Sequence, residues 1–118
     1  MGTDKVYKIV TAGEWRAIRA AGVFRGSLDD WRDGFIHLSS QAQAEETARL
    51  KFAGKGELRL LTVDAEALGE ALRWEPSRGG DLFPHLYGDL PLSAIVSIEP
   101  LTVGEDGAYV FPAGFGRA

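Results

Sequence analysis

Twice in this chain a run of β-forming residues stops at a hydroxyl residue followed three places later by Glu or Gln. Val6-Tyr7-Lys8-Ile9-Val10 runs into Thr11-Ala12-Gly13-Glu14, and Phe35-Ile36-His37-Leu38 runs into Ser39 and Ser40-Gln41-Ala42-Gln43. In such a capping box the hydroxyl accepts the backbone N–H of the third helical residue, whose side chain reaches back to the capping residue. Each box therefore marks a switch from strand to helix. The first helix carries Trp15 and Ile18 and ends at Gly22. The second runs to about Ala53, with Ala44, Ala48 and Phe52 spaced by four on one face. Asp64 caps a third, short helix carrying Leu68 and Leu72.

The remaining strand signals do not alternate regularly with these helices. Leu58-Arg59-Leu60-Leu61-Thr62-Val63 reads as a central apolar strand, and Val23-Phe24-Arg25-Gly26, Arg73-Trp74-Glu75, Ala94 to Ile98 and Ala108 to Phe111 as further strands. Ser27 to Gly34 has turn chemistry, and Ser77 to Leu82 reads as a flexible loop. Phe83-Pro84-His85-Leu86-Tyr87-Gly88 is too rich in Pro and Gly for a long strand. The pattern predicts an α+β fold with a mixed or antiparallel sheet and about three helices. One domain accounts for 118 residues, with a core over about 5–111 and a loose tail over 113–118.

Cysteine is absent, so no disulfide framework or thiolate site is expected, and the reducing cytoplasm is the expected compartment. No run of about 18 apolar residues predicts a membrane span, and no secretory signal is read at the N-terminus. A net charge of −4 argues against nucleic acid as a partner. The charge is uneven: residues 1–25 hold five Lys/Arg against two Asp/Glu, and residues 61–118 hold three against nine. The basic group Lys5, Lys8, Arg16, Arg19 and Arg25 faces either a small phosphate-bearing ligand or solvent.

His37 is the sharpest chemical feature. On a strand it shares a face with Phe35, while Ile36 and Leu38 point the other way. The hydroxyls of Ser39 and Ser40 follow at a helix N-terminus, where backbone N–H groups favour anions. The pattern predicts a polar ligand site at His37; the alternative is a core imidazole bonded to backbone, with Ser40 merely a cap. His85 and Tyr87 stand in an aromatic, Gly-containing segment of the kind found in ligand clefts, or else in a rigid turn plugging the core. Two His 48 residues apart without Cys give no metal-site spacing. Arg78-Gly79-Gly80-Asp81 permits close approach to a phosphate but lacks any surrounding nucleotide fingerprint. Trp31 is the tryptophan placed to stack on a planar ligand, and Glu75 and Glu99 are the carboxylates within strand-like segments.

Taken together, Val6-Tyr7-Lys8-Ile9, Asp33-Gly34-Phe35-Ile36-His37-Leu38-Ser39, Gln43 and Phe83-Pro84-His85-Leu86-Tyr87-Gly88 resemble a bacterial family called domain of unknown function 952. The resemblance covers about residues 5 to 111. It implies a fold similar to ADP-ribosyltransferases, with NAD as ligand or substrate in a cleft of a split, mostly antiparallel sheet. It implies that His37-Leu38-Ser39 takes the place of a His-Gly-Ser/Thr strand motif, with His37 on the nicotinamide ribose and Leu38 where glycine would allow close approach. Tyr87 or His85 would stack on nicotinamide, and Glu99 would supply the carboxylate that stabilises a positively charged ribose. The expected function is nucleotide binding around His37, with transfer or hydrolysis of ADP-ribose. A ligand-binding module without turnover is the alternative. A two-histidine phosphoesterase is a third reading: His37-Leu38-Ser39 fits its motif, and His85-Leu86-Tyr87 departs from it.

Overall fold

The computed structural model describes residues 4–112 and 115. In chain order it contains β1 (Lys5–Thr11), α1 (Ala12–Ala21), β2 (Val23–Phe24), α2 (Leu28–Asp33), β3 (Ile36–His37), α3 (Gln41–Lys51) and β4 (Leu58–Asp64). There follow α4 (Ala65–Leu68), β5 (Leu72–Pro76), β6 (Leu82–Leu86), β7 (Leu90–Pro91), β8 (Ile95–Val103) and β9 (Tyr109–Val110). Short 3-10 turns occupy Gly69–Ala71, Arg78–Gly80 and Leu92–Ala94. The strands form three sheets, ordered β1-β4-β8-β9, β3-β6-β5 and β2-β7, and the strand pairs are antiparallel. The fold is therefore α+β with antiparallel sheets. Among the described residues no helix is long and apolar enough to cross a membrane.

β1 and β4 organise the core because both of their faces are covered. Val6, Val10, Leu61 and Val63 pack on one side with Ile18 of α1, Phe24, Ile36, Leu38, Leu86 and Leu90. Tyr7, Ile9, Leu58 and Leu60 pack on the other side with Ala44 and Ala48 of α3 and with Leu101. That double burial is why Leu58–Val63 is an almost continuous apolar run rather than an alternating one. It is also why β4 is central, between β1 and β8. Two backbone bonds tie the sheets together: Tyr7 N–H donates to Ser39 O and Ser39 N–H to Tyr7 O, both at 2.8 Å.

Three segments depart from the sequence reading. Ser27–Gly34 is not a plain turn: α2 forms there, capped reciprocally by Ser27 and Asp30. A capping box with Asp in place of Glu is present in Ser27-Leu28-Asp29-Asp30, and the three aspartates disguised it as a loop. Leu72 opens β5 rather than closing α4, which stops at Leu68. The segment around His85 is β6, the middle strand of its sheet. Pro84 is tolerated there because it sits just past the short β3. Leu38 N–H donates to Pro84 O at 3.0 Å, and the reciprocal bond is the one that proline forfeits. The expected loose tail over 113–118 lies outside the described residues except for Phe115, whose ring packs edge-on against Tyr7 with centroids 5.2 Å apart.

Candidate functional site

Gly34, in the left-handed region at φ 88°, ends α2 and turns the chain into β3. Phe35 and His37 then lie on one face, as period-two geometry requires, while Ile36 and Leu38 are buried in the core cluster. β3 and β6 pair so that His37 is directly opposite His85. The two imidazoles converge, with ring centroids 5.9 Å apart. Phe35 joins them: its ring stacks on His85 at 3.9 Å and is tilted against His37 at 4.7 Å.

Each histidine is held by carboxylates. His37 Nδ1 lies 2.6 Å from Asp30 Oδ1, and His37 Nε2 lies 2.8 Å from Asp33 Oδ2. Both ring nitrogens donate in the imidazolium, so that form satisfies both carboxylates. Asp30 is the hub. Its Oδ1 also accepts His37 N–H at 3.1 Å, and its Oδ2 accepts Ser27 N–H at 2.9 Å and the Lys8 ammonium at 3.3 Å. Lys8 Nζ further donates to His37 O at 2.9 Å. Burial by itself raises the Asp30 carboxyl, but the His37 bond, the Lys8 charge and the two backbone N–H groups more than reverse it, holding Asp30 well below the usual carboxylate range. Burial pushes the Lys8 ammonium below its ordinary value, against the pull of Asp30. Arg32 first, and His37 after it, holds the exposed Asp33 low.

His85 is oriented separately. Glu75 on β5 accepts from His85 Nδ1 and from the Tyr87 hydroxyl, each at 2.7 Å. These two bonds hold Glu75 below the usual carboxylate range, and Glu75 in turn pushes the Tyr87 phenol up. With Nδ1 donating, neutral His85 keeps a lone pair on Nε2.

Both histidines line a cleft of about 530 Å³ between the β3–β6 wall and α3. Ser39 lines it too, and its hydroxyl donates to Thr47 Oγ1 of α3 at 3.2 Å. The helix is pinned beside it by Gln43, whose Oε1 accepts Ser40 N–H at 3.0 Å and whose Nε2 donates to Leu82 O at 2.8 Å.

The other sequence-predicted residues are elsewhere. Ser40 is the N-cap of α3 and is not a cleft residue. Arg25 and Trp31 line a smaller hollow of about 320 Å³, where Arg25 pairs with Asp89 and the Trp31 indole donates to Arg25 O. Tyr87 reaches the site through Glu75 rather than by facing the cleft. Glu99 sits on β8 opposite Leu60 in the four-stranded sheet, away from the histidines, so the carboxylate nearest them on β5 is Glu75. The N-terminal basic group does not converge: Lys8 is buried at Asp30, while Arg16 and Arg19 are exposed on α1. Sequence reasoning missed Asp30, Asp33 and Lys8 as parts of the His37 site. The signal available was the Ser27–Asp30 capping box, which would have set Asp30 beside the strand that follows.

Among the described residues, no group of three or more His, Asp or Glu is arranged to hold a metal ion. No curated protein matches the chain. Among solved structures, the crystal structure of protein CC0527 from Caulobacter crescentus is 49% identical, with 90% of this chain and 93% of that one covered and a TM-score of 0.86. The solution NMR structure of CC0527 is 50% identical, over 88% and 90% of the two chains, with a TM-score of 0.80. The model of the family described as "Protein of unknown function (DUF952)" matches residues 9–98. With three quarters of its length in that match, this chain belongs to the DUF952 family.

Proposed function

We propose that the domain is an ADP-ribosyltransferase-like fold whose cleft binds a nucleotide of the NAD class, and that binding rather than glycosyl transfer is its activity. The observation that carries the reading is the convergence of His37 and His85 on one 530 Å³ cleft, lined also by Ser39 and by Thr47 of α3, with Phe35 stacked behind His85. A cleft of that size, with aromatic and polar groups mixed, suits a small planar ligand carrying hydroxyls. His85 Nε2 offers an acceptor for a ribose hydroxyl or an amide N–H, and Glu75 keeps it in the right tautomer. Separate antiparallel sheets flanking the cleft support the fold assignment.

Transfer chemistry needs a carboxylate free to face a developing cation. The acidic residues lining the cleft are Glu14, Asp29, Asp30 and Asp33, and each already holds an internal partner. The two-histidine phosphoesterase reading is favoured by the cross-strand histidines. It is weakened by His37, whose two ring nitrogens are both taken by carboxylates.

The test is an NMR titration with NAD, ADP-ribose and nicotinamide, on the wild type and on His85→Gln. Shifts clustered at Phe35, Ser39 and His85, with affinity weakened roughly tenfold or more in the variant, support the reading. Millimolar ligand that moves no resonance in the cleft overturns it. NAD consumption by the purified protein would overturn the non-catalytic part alone.

A further inference from the structure

The charges lining the cleft are not equivalent. Near His37, Lys8 is neutralised by Asp30, and Arg32 by Asp29 and Asp33, which leaves Glu14, whose carboxylate accepts Thr11 N–H, as the cleft acid without an ion-pair partner among the described residues. At the other end stand Arg78, Lys51 and Lys55, and among the described residues none of them pairs with a carboxylate. The unspent charge of the cleft is therefore positive, in a chain whose net charge is −4.

Arg78 is the anchored member of the three. Its guanidinium lies 4.8 Å over the Phe83 ring, and one terminal nitrogen donates to Thr47 Oγ1 at 3.2 Å. Both anchors are neutral, so they fix the plane of the guanidinium and leave its charge uncompensated. Gly79 and Gly80, at φ 70° and 86°, turn the chain back immediately after Arg78. Thr47 accepts from Arg78 and from Ser39, and its own hydroxyl proton is the donor left over. Lys51 lies one helical turn beyond Thr47 on α3, on the same face. A planar fork, a hydroxyl and one or two flexible ammonium groups at one end of a cleft are the groups that recognise a phosphate.

We propose that Arg78, with Thr47 and Lys51, forms a phosphate subsite that takes a phosphate group of the bound nucleotide. The subsite deepens the nucleotide reading and rests on it for the identity of the rest of the ligand. The division of labour is spatial: the His37–His85 wall meets the base or ribose, and the α3 end meets the phosphate.

The experiment compares adenosine, AMP, ADP-ribose and pyrophosphate binding, by calorimetry and NMR, to the wild type, Arg78→Gln and Arg78→Lys. The expected result is that AMP and ADP-ribose bind at least roughly tenfold more tightly than adenosine. Arg78→Gln removes that preference with adenosine affinity unchanged and the fold retained by far-UV circular dichroism, and Arg78→Lys restores it in part. AMP and adenosine binding alike, or a preference that survives Arg78→Gln, overturns the subsite while leaving the nucleotide reading standing. Pyrophosphate bound through Arg78 with no nucleoside contribution keeps the subsite and overturns the nucleotide reading. No binding by any of the four overturns both.

Discussion

Asp30 is 2% exposed and accepts four hydrogen bonds, from Lys8, from Ser27 and twice from His37. Removing one partner of a buried ion pair leaves the other charge uncompensated, which typically costs about 3–5 kcal/mol. Asp30→Asn is therefore expected to destabilise the fold by about that amount, read from urea unfolding. A loss below about 1 kcal/mol would assign Asp30 to the cleft rather than to the fold. The sign of the pH dependence follows from the depressed carboxyl. Its stabilisation is fully present above the ordinary Asp value of 3.8 and is lost as pH falls from there towards the lower native value. The difference between wild type and Asp30→Asn should hold from pH 7 to about pH 5 and shrink in stronger acid. The sequence singled out His37 because an imidazole on an apolar strand is unusual. It could not reveal Asp30, because the contact is a matter of how α2 sits against β3, and a cluster of aspartates reads as a turn.

At the level of elements, the site depends on how helices hand the chain to strands. Gly34 ends α2 with its N–H donating to Asp30 O at 2.8 Å, and it does so at φ 88°. An L side chain in that region costs about 1–2 kcal/mol. Gly34→Ala should lower stability by about that amount and loosen His37, seen as broadened His37 ring resonances; an unchanged unfolding midpoint would contradict it. The capping boxes at Thr11 and Ser40 and the burial of β4 were legible because they are local or periodic signals. β6 was not legible as the middle of a sheet. Its Pro84 argues locally against a central strand, and the compensation is that β3 ends one residue before the missing bond matters. That is a property of two segments 48 residues apart.

Over the whole molecule, the two apolar clusters share β1 and β4, so neither can be lost while the other remains packed. The Cα radius of gyration of 13.5 Å matches the roughly 13–14 Å expected of one domain of this length. Unfolding followed by tryptophan fluorescence and by far-UV circular dichroism should therefore give coincident transitions. Separate midpoints would mean that the β3–β6–β5 sheet opens as its own unit. The charge imbalance along the sequence proved a poor guide to the cleft. The basic N-terminal residues disperse over β1, α1 and the loop after β2, whereas the cleft cations without a carboxylate partner among the described residues come from α3, the segment just after it and the turn at Arg78.

The pair of backbone bonds between Tyr7 and Ser39 reaches from one sheet to the other at the floor of this arrangement. Those two amide protons exchange with solvent when the sheets part, so they serve as a built-in clock for the breathing of the cleft. A ligand that bridges the β3–β6 wall and α3 would slow that clock, and one that merely decorates the outer surface would leave it running at its native rate.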